Sequence, residues 1–394
     1  MKHFKTTLLV AATSILVAGC GGGTSPTADT TPRASITTVK AFGDSLADAG
    51  TFGFKFTVQD GKVYPQVVAQ SYGQSNLCNF YVFTGTTFAA NSTAGCTDFA
   101  IGGGVINPAS STSATVPSPV GIQVQMTTAG SIGFAATDLA VIDGGGNDIA
   151  ALITAFLTAQ QTSNPTSLVT LLTSLSAANP ALSLTAVQTA LAGGATTTAQ
   201  IGGVYMATLA DVMASSVTTN VLGKGATHVV ILNLPAVTKT PEFQAVLAQI
   251  SAANGGGATG AAAAAQAEGL FETWMSAYNA ELTTKFASEP RVAVIDFYDA
   301  FLDEVAEPQQ YGLVPVAQIF NEACPAADNA NSTAAAAGWI ACTAANLSAN
   351  PPSGVTDPNW WKTYAFANQF HPTPYGHQLI AQLISRTLAQ KGWL

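Results

Sequence analysis

Short apolar runs recur along the chain, with room for a helix between them. Five of these runs have the length and β-branched content of buried strands: residues 38–42, 97–101, 138–142, 227–234 and 291–297. The runs are nearly continuous rather than alternating, which is typical of parallel strands that are covered on both faces. The pattern therefore predicts a mostly five-stranded parallel sheet at the centre of the protein.

Helical patterns fill most of the segments between the runs. Helices are predicted at residues 63–72, 149–160, 196–222, 261–286 and about 375–390. Strands that alternate with helices build a sheet by right-handed crossovers and bury both of its faces. Two segments exceed a minimal crossover and are predicted as loop-rich insertions, near 163–194, where helix–turn–helix material is expected, and near 309–360.

The N-terminus has the pattern of a targeting segment. Lys2 and Lys5 precede an apolar stretch, and Val-Ala-Gly-Cys at residues 17–20 resembles a bacterial lipobox. Residues 1–19 are therefore predicted as a lipoprotein signal peptide, with Cys20 as the lipidated first residue of the mature chain. A plain secretory signal, in which Cys20 is incidental, is the alternative.

The residues after Cys20 predict a tethered domain outside the cytoplasm. Gly21 follows the cysteine, which by the same resemblance favours the outer membrane, with a periplasmic or cell-surface location or release from the cell. Residues 20–37 are rich in Gly, Ser, Thr and Pro, a composition that is typical of a flexible tether. The folded domain is then expected to cover residues 38–394.

Four cysteines remain after Cys20, an even number that fits disulfide formation in an oxidising compartment. Three pairings are possible. We favour Cys78–Cys96 and Cys324–Cys342, because each pair brackets a loop-like stretch. A metal site is the weaker alternative, since no Cys-x-x-Cys motif and no nearby histidine accompanies these residues.

Charge and hydropathy restrict the partners. The 394 residues contain 13 Lys and Arg against 22 Asp and Glu, too few clustered cations for nucleic-acid binding. Beyond the N-terminus no apolar run approaches the roughly 20 residues that a membrane-spanning helix needs. We expect no nucleic-acid partner, and membrane attachment only through Cys20.

The first strand ends abruptly in Gly-Asp-Ser-Leu at residues 43–46. A serine on a sharp strand-to-helix turn is how α/β hydrolases expose a nucleophile, although the spacing here differs from their usual Gly-x-Ser-x-Gly elbow. An ordinary turn capped by Asp44 and Ser45 is the alternative. Ser45 therefore needs chemical partners elsewhere in the chain to count as a nucleophile.

Three later stretches offer those partners. They are Gly-Gly-Gly at 102–104, Gly-Gly-Asn-Asp at 145–148 and His-Pro-Thr at 371–373. Strand carboxyl ends and the loops that meet them are where ligands bind in open α/β sheets. Ester hydrolysis by a serine needs a base, for which His371 is the candidate, and donors for the oxyanion. The candidate donors are the N–H groups of Ser45 and Gly103 and the side-chain amide of Asn147.

These four stretches, in this order, resemble the four blocks of the SGNH/GDSL hydrolase family and span nearly the whole mature chain. The resemblance implies a three-layer α/β/α flavodoxin-like fold and metal-independent esterase, lipase, phospholipase or deacetylase activity. It implies no cofactor and no metal. One position departs from the family pattern, because Asn368 stands three residues before His371 where the family usually has Asp.

The missing carboxylate leaves several arrangements open. Asn368 could accept a hydrogen bond from the imidazole through its amide oxygen, which keeps geometry but not charge. A main-chain carbonyl or another acid, such as Asp357, could serve instead. A degenerate, inactive site is the opposing interpretation. We expect Ser45, His371 and Asn368 to form the catalytic set.

Other residues of the motifs have simpler interpretations. Asp44 and Asp48 are expected to cap turns, and Asp148 is as compatible with a helix cap as with catalysis. His377 is expected to be structural, although it could compete with His371 as the base. Five aromatic residues are placed around the approach to His371: Tyr64, Trp360, Trp361, Tyr364 and Phe370.

The sequence therefore predicts a serine carboxylic ester hydrolase that acts on acyl esters outside the cytoplasm. The alternatives on the same site are a polyester depolymerase and a polysaccharide O-acetyl esterase. A catalytically silent surface-binding lipoprotein is the alternative from another class. The oligomeric state is left open.

Overall fold

A computed structural model describes residues 34–111, 118–329 and 331–394. Within them the chain forms six strands: β1 (Thr38–Phe42), β2 (Tyr81–Phe83), β3 (Phe88–Ala90), β4 (Asp138–Ile142), β5 (His228–Leu232) and β6 (Val292–Ile295). Four of the strands make a parallel sheet in the order β1-β4-β5-β6, and β2 and β3 make an antiparallel hairpin. The parallel sheet predicted from the apolar runs is confirmed.

The described residues also form helices of very different lengths: α1 (Tyr64–Ser71), α2 (Ile122–Ile132), α3 (Gly146–Thr162), α4 (Thr166–Thr173), α5 (Leu184–Ala192), α6 (Ala195–Asn220), α7 (Pro241–Ala253), α8 (Gly257–Phe286), α9 (Phe297–Ala306), α10 (Ser332–Ala341), α11 (Ala344–Ala349) and α12 (Pro374–Gln390). The five helices predicted from the sequence correspond to α1, α3, α6, α8 and α12. Helices α2, α7 and α9 and the β2–β3 hairpin were not predicted from the sequence.

The sheet separates two apolar cores, because successive strand residues point to opposite faces. Phe42 and Ile142 belong to the larger core, which α2, α3, α6 and α8 cover. Val39 and Val141 belong to the second core, which α1, α9 and α12 cover. The result is a three-layer α/β/α arrangement, as predicted.

The segment 97–101 lies along β1 as a short fifth strand with one regular parallel bridge, between Ala41 and Asp98. Three main-chain hydrogen bonds join it to β1: the N–H of Ala41 donates to Thr97 at 3.1 Å, that of Phe99 to Ala41 at 2.8 Å and that of Ile101 to Gly43 at 3.2 Å. The segment lies on the side of β1 away from β4. The order in which strands are added to the sheet thus reverses between β1 and β4. Open α/β sheets bind ligands at such a point.

The first predicted insertion is a pair of helices, as expected, and the second contains more helix than its loop-rich pattern indicates. Residues 163–194 hold α4 and α5, and residues 309–360 hold α10 and α11. The second insertion has its own apolar cluster, with Trp339, Trp360 and Trp361 inside it. Disulfide bonds join Cys78 to Cys96, around the hairpin, and Cys324 to Cys342, around α10. These are the two pairings that the sequence favoured.

Candidate active site

The turn that carries Ser45 depends on a glycine and an aspartate. Gly43 follows β1 with φ of +145°, and a Cβ at this position would overlap the carboxylate of Asp143. Asp143 lies at the end of β4 and accepts the Asp44 N–H at 2.9 Å. Its other oxygen accepts the hydroxyl of Tyr64 at 3.0 Å. The carboxyl ends of two neighbouring strands are thereby joined directly beneath the serine.

Ser45, His371 and Asn368 form one hydrogen-bonded chain. The Oγ of Ser45 lies 2.7 Å from Nε2 of His371. The Nδ1 of His371 lies 2.9 Å from Oδ1 of Asn368. The same amide oxygen accepts the main-chain N–H groups of Phe370 at 3.1 Å and of His371 at 2.8 Å. An oxygen held in this way favours the tautomer with the proton on Nδ1, which leaves Nε2 free to accept from the serine.

Aromatic rings surround the imidazole of His371. Phe56 stacks on it with ring centroids 5.2 Å apart, and Trp339 and Phe370 meet it edge-on at 5.5 Å each. Burial among these groups lowers the pKa of His371 to about 3. The amide of Asn368 adds no charge that would counter this effect. The histidine is therefore neutral at ordinary pH, as a base must be before it accepts a proton.

Two main-chain donors beside Ser45 are free. Within the described ranges no group accepts a hydrogen bond from the N–H of Ser45 or of Gly103. The glycine loop packs closely on the serine turn, since a Cβ on Gly104 would lie 2.5 Å from the carbonyl oxygen of Gly43. Gly103 itself is exposed with φ of +77°, and a Cβ there would meet open space. These N–H groups have the character of oxyanion donors.

The side chain of Asn147 lies at the same place. Its Nδ2 donates to the carbonyl of Gly104 at 2.9 Å and approaches Oδ2 of Asp44 at 3.5 Å. The second contact is long for a hydrogen bond, so one N–H of the amide can turn to a substrate oxygen. Asn147 is only half-buried. The three predicted oxyanion donors therefore come from two adjoining loops and the first turn of α3.

The buried aspartates around the serine hold these loops together. Asp48 accepts the N–H groups of Gly50, Thr51 and Gly102 at 2.7 to 2.8 Å, which ties the serine turn to the glycine loop. Asp44 accepts the Leu46 N–H at 3.0 Å. Both aspartates thus cap turns, as the sequence indicated.

Asp148 has a different partner set from the helix cap that was considered for it. It accepts the N–H groups of Ile106 and Asn107 at 2.9 Å each and the hydroxyl of Ser110 at 2.7 Å. It therefore fixes the loop that follows the glycines. Burial raises the pKa of Asp44 and of Asp148 to about 6.

The alternative bases and acids lie elsewhere. His377 is fully buried and accepts the Tyr64 N–H at 3.3 Å, so its placement is structural. Asp357 is exposed and accepts the N–H of Asn359. Cys20 and the predicted signal peptide lie outside the described residues. Within the described ranges no helix is long and apolar enough to cross a membrane, and no cluster of three His, Cys, Asp or Glu side chains is placed to hold a metal.

The GDSL-like lipase/acylhydrolase family model matches residues 39–384, most of the chain. The chain belongs to this family. No curated protein sequence matches the chain. Family membership makes the protein an ester hydrolase, and the matched range contains every candidate site residue described above except the anchor cysteine.

Two residues of this GDSL hydrolase escaped the sequence analysis. Phe56 and Trp339 contact His371, whereas Trp360 and Trp361, which were placed near its approach, are buried within the second insertion. Trp360 donates its indole N–H to the carbonyl of Leu347 at 2.9 Å. The available signal was the repeated Phe-x-Phe-x-Phe pattern at residues 52–56, directly after the serine motif.

Proposed function

We propose that the protein is an exported serine carboxylic ester hydrolase that cleaves acyl esters through Ser45 and His371. The observation that carries the proposal is the 2.7 Å contact between the serine Oγ and the histidine Nε2, beside two unoccupied main-chain donors. A nucleophile within hydrogen-bond reach of a base that is itself oriented by a third group is the arrangement of covalent hydrolases.

The reaction follows from these positions. Ser45 Oγ attacks the ester carbonyl carbon while His371 Nε2 takes the hydroxyl proton. The negative charge on the carbonyl oxygen is received by the N–H groups of Ser45 and Gly103 and by the Asn147 amide. When the intermediate collapses, the C–O bond to the alcohol breaks and the histidine returns the proton to the leaving oxygen. Water, activated by the same histidine, then releases the acid from Ser45.

Asn368 orients the imidazole in this scheme but gives it little electrostatic help. Its oxygen keeps Nδ1 protonated, as a catalytic carboxylate would. It carries no negative charge to stabilise the imidazolium that forms in the transition state. We therefore propose a Ser-His-Asn site that is slower than a carboxylate triad and stays unprotonated at more acidic pH.

The location of the enzyme is part of the proposal. Cys20 would carry the lipid, and the Gly- and Ser-rich residues that follow would hold the catalytic domain away from the outer membrane. The two disulfide bonds support an oxidising compartment.

The test is hydrolysis of p-nitrophenyl acetate and octanoate by the mature protein. We expect Ser45→Ala to lower kcat at least a thousandfold, whereas Ser71→Ala, an exposed serine at the end of α1, should behave as wild type. A serine-directed phosphonate should label the wild type and not the Ser45 variant. Full activity in Ser45→Ala, or a wild type that neither turns over nor takes the label, would refute the proposal and favour a silent binding protein.

A further inference from the structure

A series of partly exposed phenylalanine rings begins at the catalytic residues. Phe56 stacks on the imidazole of His371 with ring centroids 5.2 Å apart. The same ring packs on Gly102, the chain neighbour of the oxyanion donor Gly103, so closely that a Cβ on Gly102 would overlap it. Phe56 therefore contacts both the base and the loop that receives the oxyanion, and an ester bound at Ser45 has this ring beside it.

The rings continue from Phe56 to the β2–β3 hairpin. The ring centroid of Phe52 lies 6.1 Å from that of Phe56, and a Cβ on Gly102 would lie 3.2 Å from the Phe52 ring. Phe52 in turn meets Phe83 at 5.3 Å and Phe88 at 5.9 Å between centroids. We call these four rings, Phe52, Phe56, Phe83 and Phe88, the aromatic strip. It forms one apolar surface from the imidazole to the hairpin.

The hairpin end of the aromatic strip is fixed to the serine turn. An isolated two-stranded hairpin is marginally stable in water, but this one is anchored twice. The N–H of Phe83 donates to the carbonyl of Thr51 at 2.8 Å, and Thr51 donates its own N–H to Asp48 at 2.7 Å. The disulfide bond between Cys78 and Cys96 closes the base of the hairpin. The rings are therefore held in place before a substrate binds.

The hairpin offers no charge to a ligand. Residues 63–97, which include both of its strands, contain no Asp, Glu, Lys, Arg or His. Exposed strand edges usually carry charged side chains that prevent association. Here Phe83 is 36% exposed and Val82 is 38% exposed. The chemistry of the aromatic strip therefore fits an uncharged, apolar group.

The mechanism favours the acyl chain of the ester over its alcohol as the group on the aromatic strip. The alcohol leaves first, and water must then reach the carbonyl carbon beside His371. Apolar contacts that hold the departing alcohol would slow this exchange. Contacts to the acyl chain persist through both halves of the reaction, until the acid leaves Ser45.

We infer that the aromatic strip binds the acyl chain of the ester, and that Phe83 at its far end makes the enzyme selective for chains long enough to reach the hairpin. The inference rests on the proposed function of Ser45 and His371. Two ring-to-ring steps separate Phe83 from Phe56, a distance that an extended chain of about eight carbons covers at ordinary bond lengths and angles. The substrate class is thus esters of medium- to long-chain apolar acids, bound on an open surface.

The test compares p-nitrophenyl butanoate with p-nitrophenyl octanoate, below the concentration at which the octanoate aggregates. The leaving group is the same, so the ratio of the two kcat/KM values reports only on the acyl chain. We expect Phe83→Ser to lower the octanoate-to-butanoate ratio about fivefold, because the chain end loses an apolar contact. Phe83→Leu keeps an apolar side chain and should stay close to the wild-type ratio. A general loss of activity cancels in the ratio, and thermal melting would verify that each variant is folded.

Val82→Ser is the matched control. Val82 is as exposed as Phe83, but successive strand residues point to opposite faces, so it lies on the other face of the hairpin. It should keep the wild-type ratio. An equal loss in the Val82 and Phe83 variants would mean that the hairpin acts by unspecific apolar adsorption, and would overturn the inference.

The alcohol is tested with ethyl acetate and hexyl acetate, which share the acyl group. Phe83→Ser should leave the ratio of their kcat/KM values unchanged, and a change here without one in the acyl series would overturn the assignment to the acyl chain. An octanoate-to-butanoate ratio that Phe83→Ser leaves unchanged also overturns the inference, while hydrolysis of p-nitrophenyl acetate by the wild type still supports the serine esterase. A wild type that does not hydrolyse the acetate would overturn both.

Discussion

Ser45 rests on a network of buried carboxyl groups, whereas His371 is held by one amide and a set of aromatic rings. On the serine side, Asp143, Asp48 and Asp148 each accept several hydrogen bonds from loop backbone or neighbouring hydroxyls. On the histidine side, Asn368 accepts three hydrogen bonds on a single oxygen and carries no charge. The buried acids on the serine side therefore position the oxyanion loops, whereas no carboxyl group of the described residues forms a hydrogen bond with the imidazole of His371.

Positioning the base and stabilising its charge are separate tasks in a serine hydrolase. A carboxylate beside the base usually does both, because it fixes the tautomer and stabilises the imidazolium. Here an amide does the first task without the second. Changes on the serine side should thus affect geometry and stability, and changes on the histidine side should affect proton affinity.

Among the variants that leave the nucleophile and the base in place, Asn147→Ala is expected to have the largest effect. This change removes a side-chain oxyanion donor, and loss of one such donor lowers kcat about a hundred- to a thousandfold. The KM for p-nitrophenyl acetate should change little, because the lost bond forms in the transition state. A parallel rise in KM with unaltered kcat would mean that Asn147 contacts the ground-state substrate instead.

Asp143→Ala should show that the serine side is a structural network. The change leaves the Asp44 N–H and the Tyr64 hydroxyl buried without an acceptor, so we expect the free energy of unfolding to fall by about 3 kcal/mol. Tyr64→Phe removes only one of the two bonds and should lower it by about 1 kcal/mol. Urea unfolding of the three proteins measures both values. Equal losses in the two variants would show that the Asp44 contact contributes nothing.

Asn368→Asp should move the histidine side toward a carboxylate triad. The added charge stabilises the imidazolium, so the pKa of His371 rises and kcat near neutral pH increases about tenfold. The base must be neutral to act, so activity should then decline at a higher pH on the acidic side than in the wild type. Asn164→Asp, on the exposed loop between α3 and α4, is the control. A pH–rate profile that matches the wild type would show that Asn368 does not influence the imidazole.

The smallest effect concerns the pH dependence of stability, to which the two sides contribute with opposite sign. Asp44 and Asp148 have folded pKa values raised to about 6, so the native state holds more protons than the unfolded chain and their contribution falls as pH rises from about 4 to 6. Burial lowers the pKa of His371 and of His377 to about 3. The unfolded chain then binds more protons, and the histidine contribution rises with pH up to about 6.5.

His377→Gln removes one of the two histidine contributions and keeps an acceptor for the Tyr64 N–H. We expect the change in unfolding free energy from pH 5 to pH 7 to be less positive than in the wild type, by up to about 2 kcal/mol. His228→Gln, at the partly exposed start of β5, should change it less. An identical gain in the His377 variant and the wild type would show that this histidine is not held in its neutral form.

Sequence patterns were sufficient to predict the elements whose apolar residues recur with a regular period. Continuous apolar runs identified every strand of the parallel sheet, and 3.6-residue periodicity identified the long helices. The segment 97–101 pairs with β1 through three main-chain hydrogen bonds, although only one regular bridge forms before the chain turns into the glycine loop. The β2–β3 hairpin is held by a disulfide and by aromatic contacts rather than by a strong alternating pattern.

The reactive residues of the site could be predicted because each lies in a short motif at a strand end or loop. Their surroundings could not, because they come from distant parts of the chain. Phe56 and Trp339 reach the same imidazole from segments nearly 300 residues apart, and nothing local marks either as a neighbour of His371. The partner of the imidazole was equally undetermined, since Asn368 and Asp357 are both polar residues upstream of it.

The disulfide bond between Cys324 and Cys342 makes the geometry of the site depend on whether these two thiols are oxidised. Trp339, which packs edge-on against the imidazole of His371, lies within the segment that this bond closes. A newly made chain in a reducing environment lacks this bond. Its Trp339 is therefore not held against the imidazole of His371 until the thiols are oxidised. We therefore expect the hydrolytic activity to develop only after Cys324 and Cys342 are oxidised, which under the proposed export would follow release from the cytoplasm.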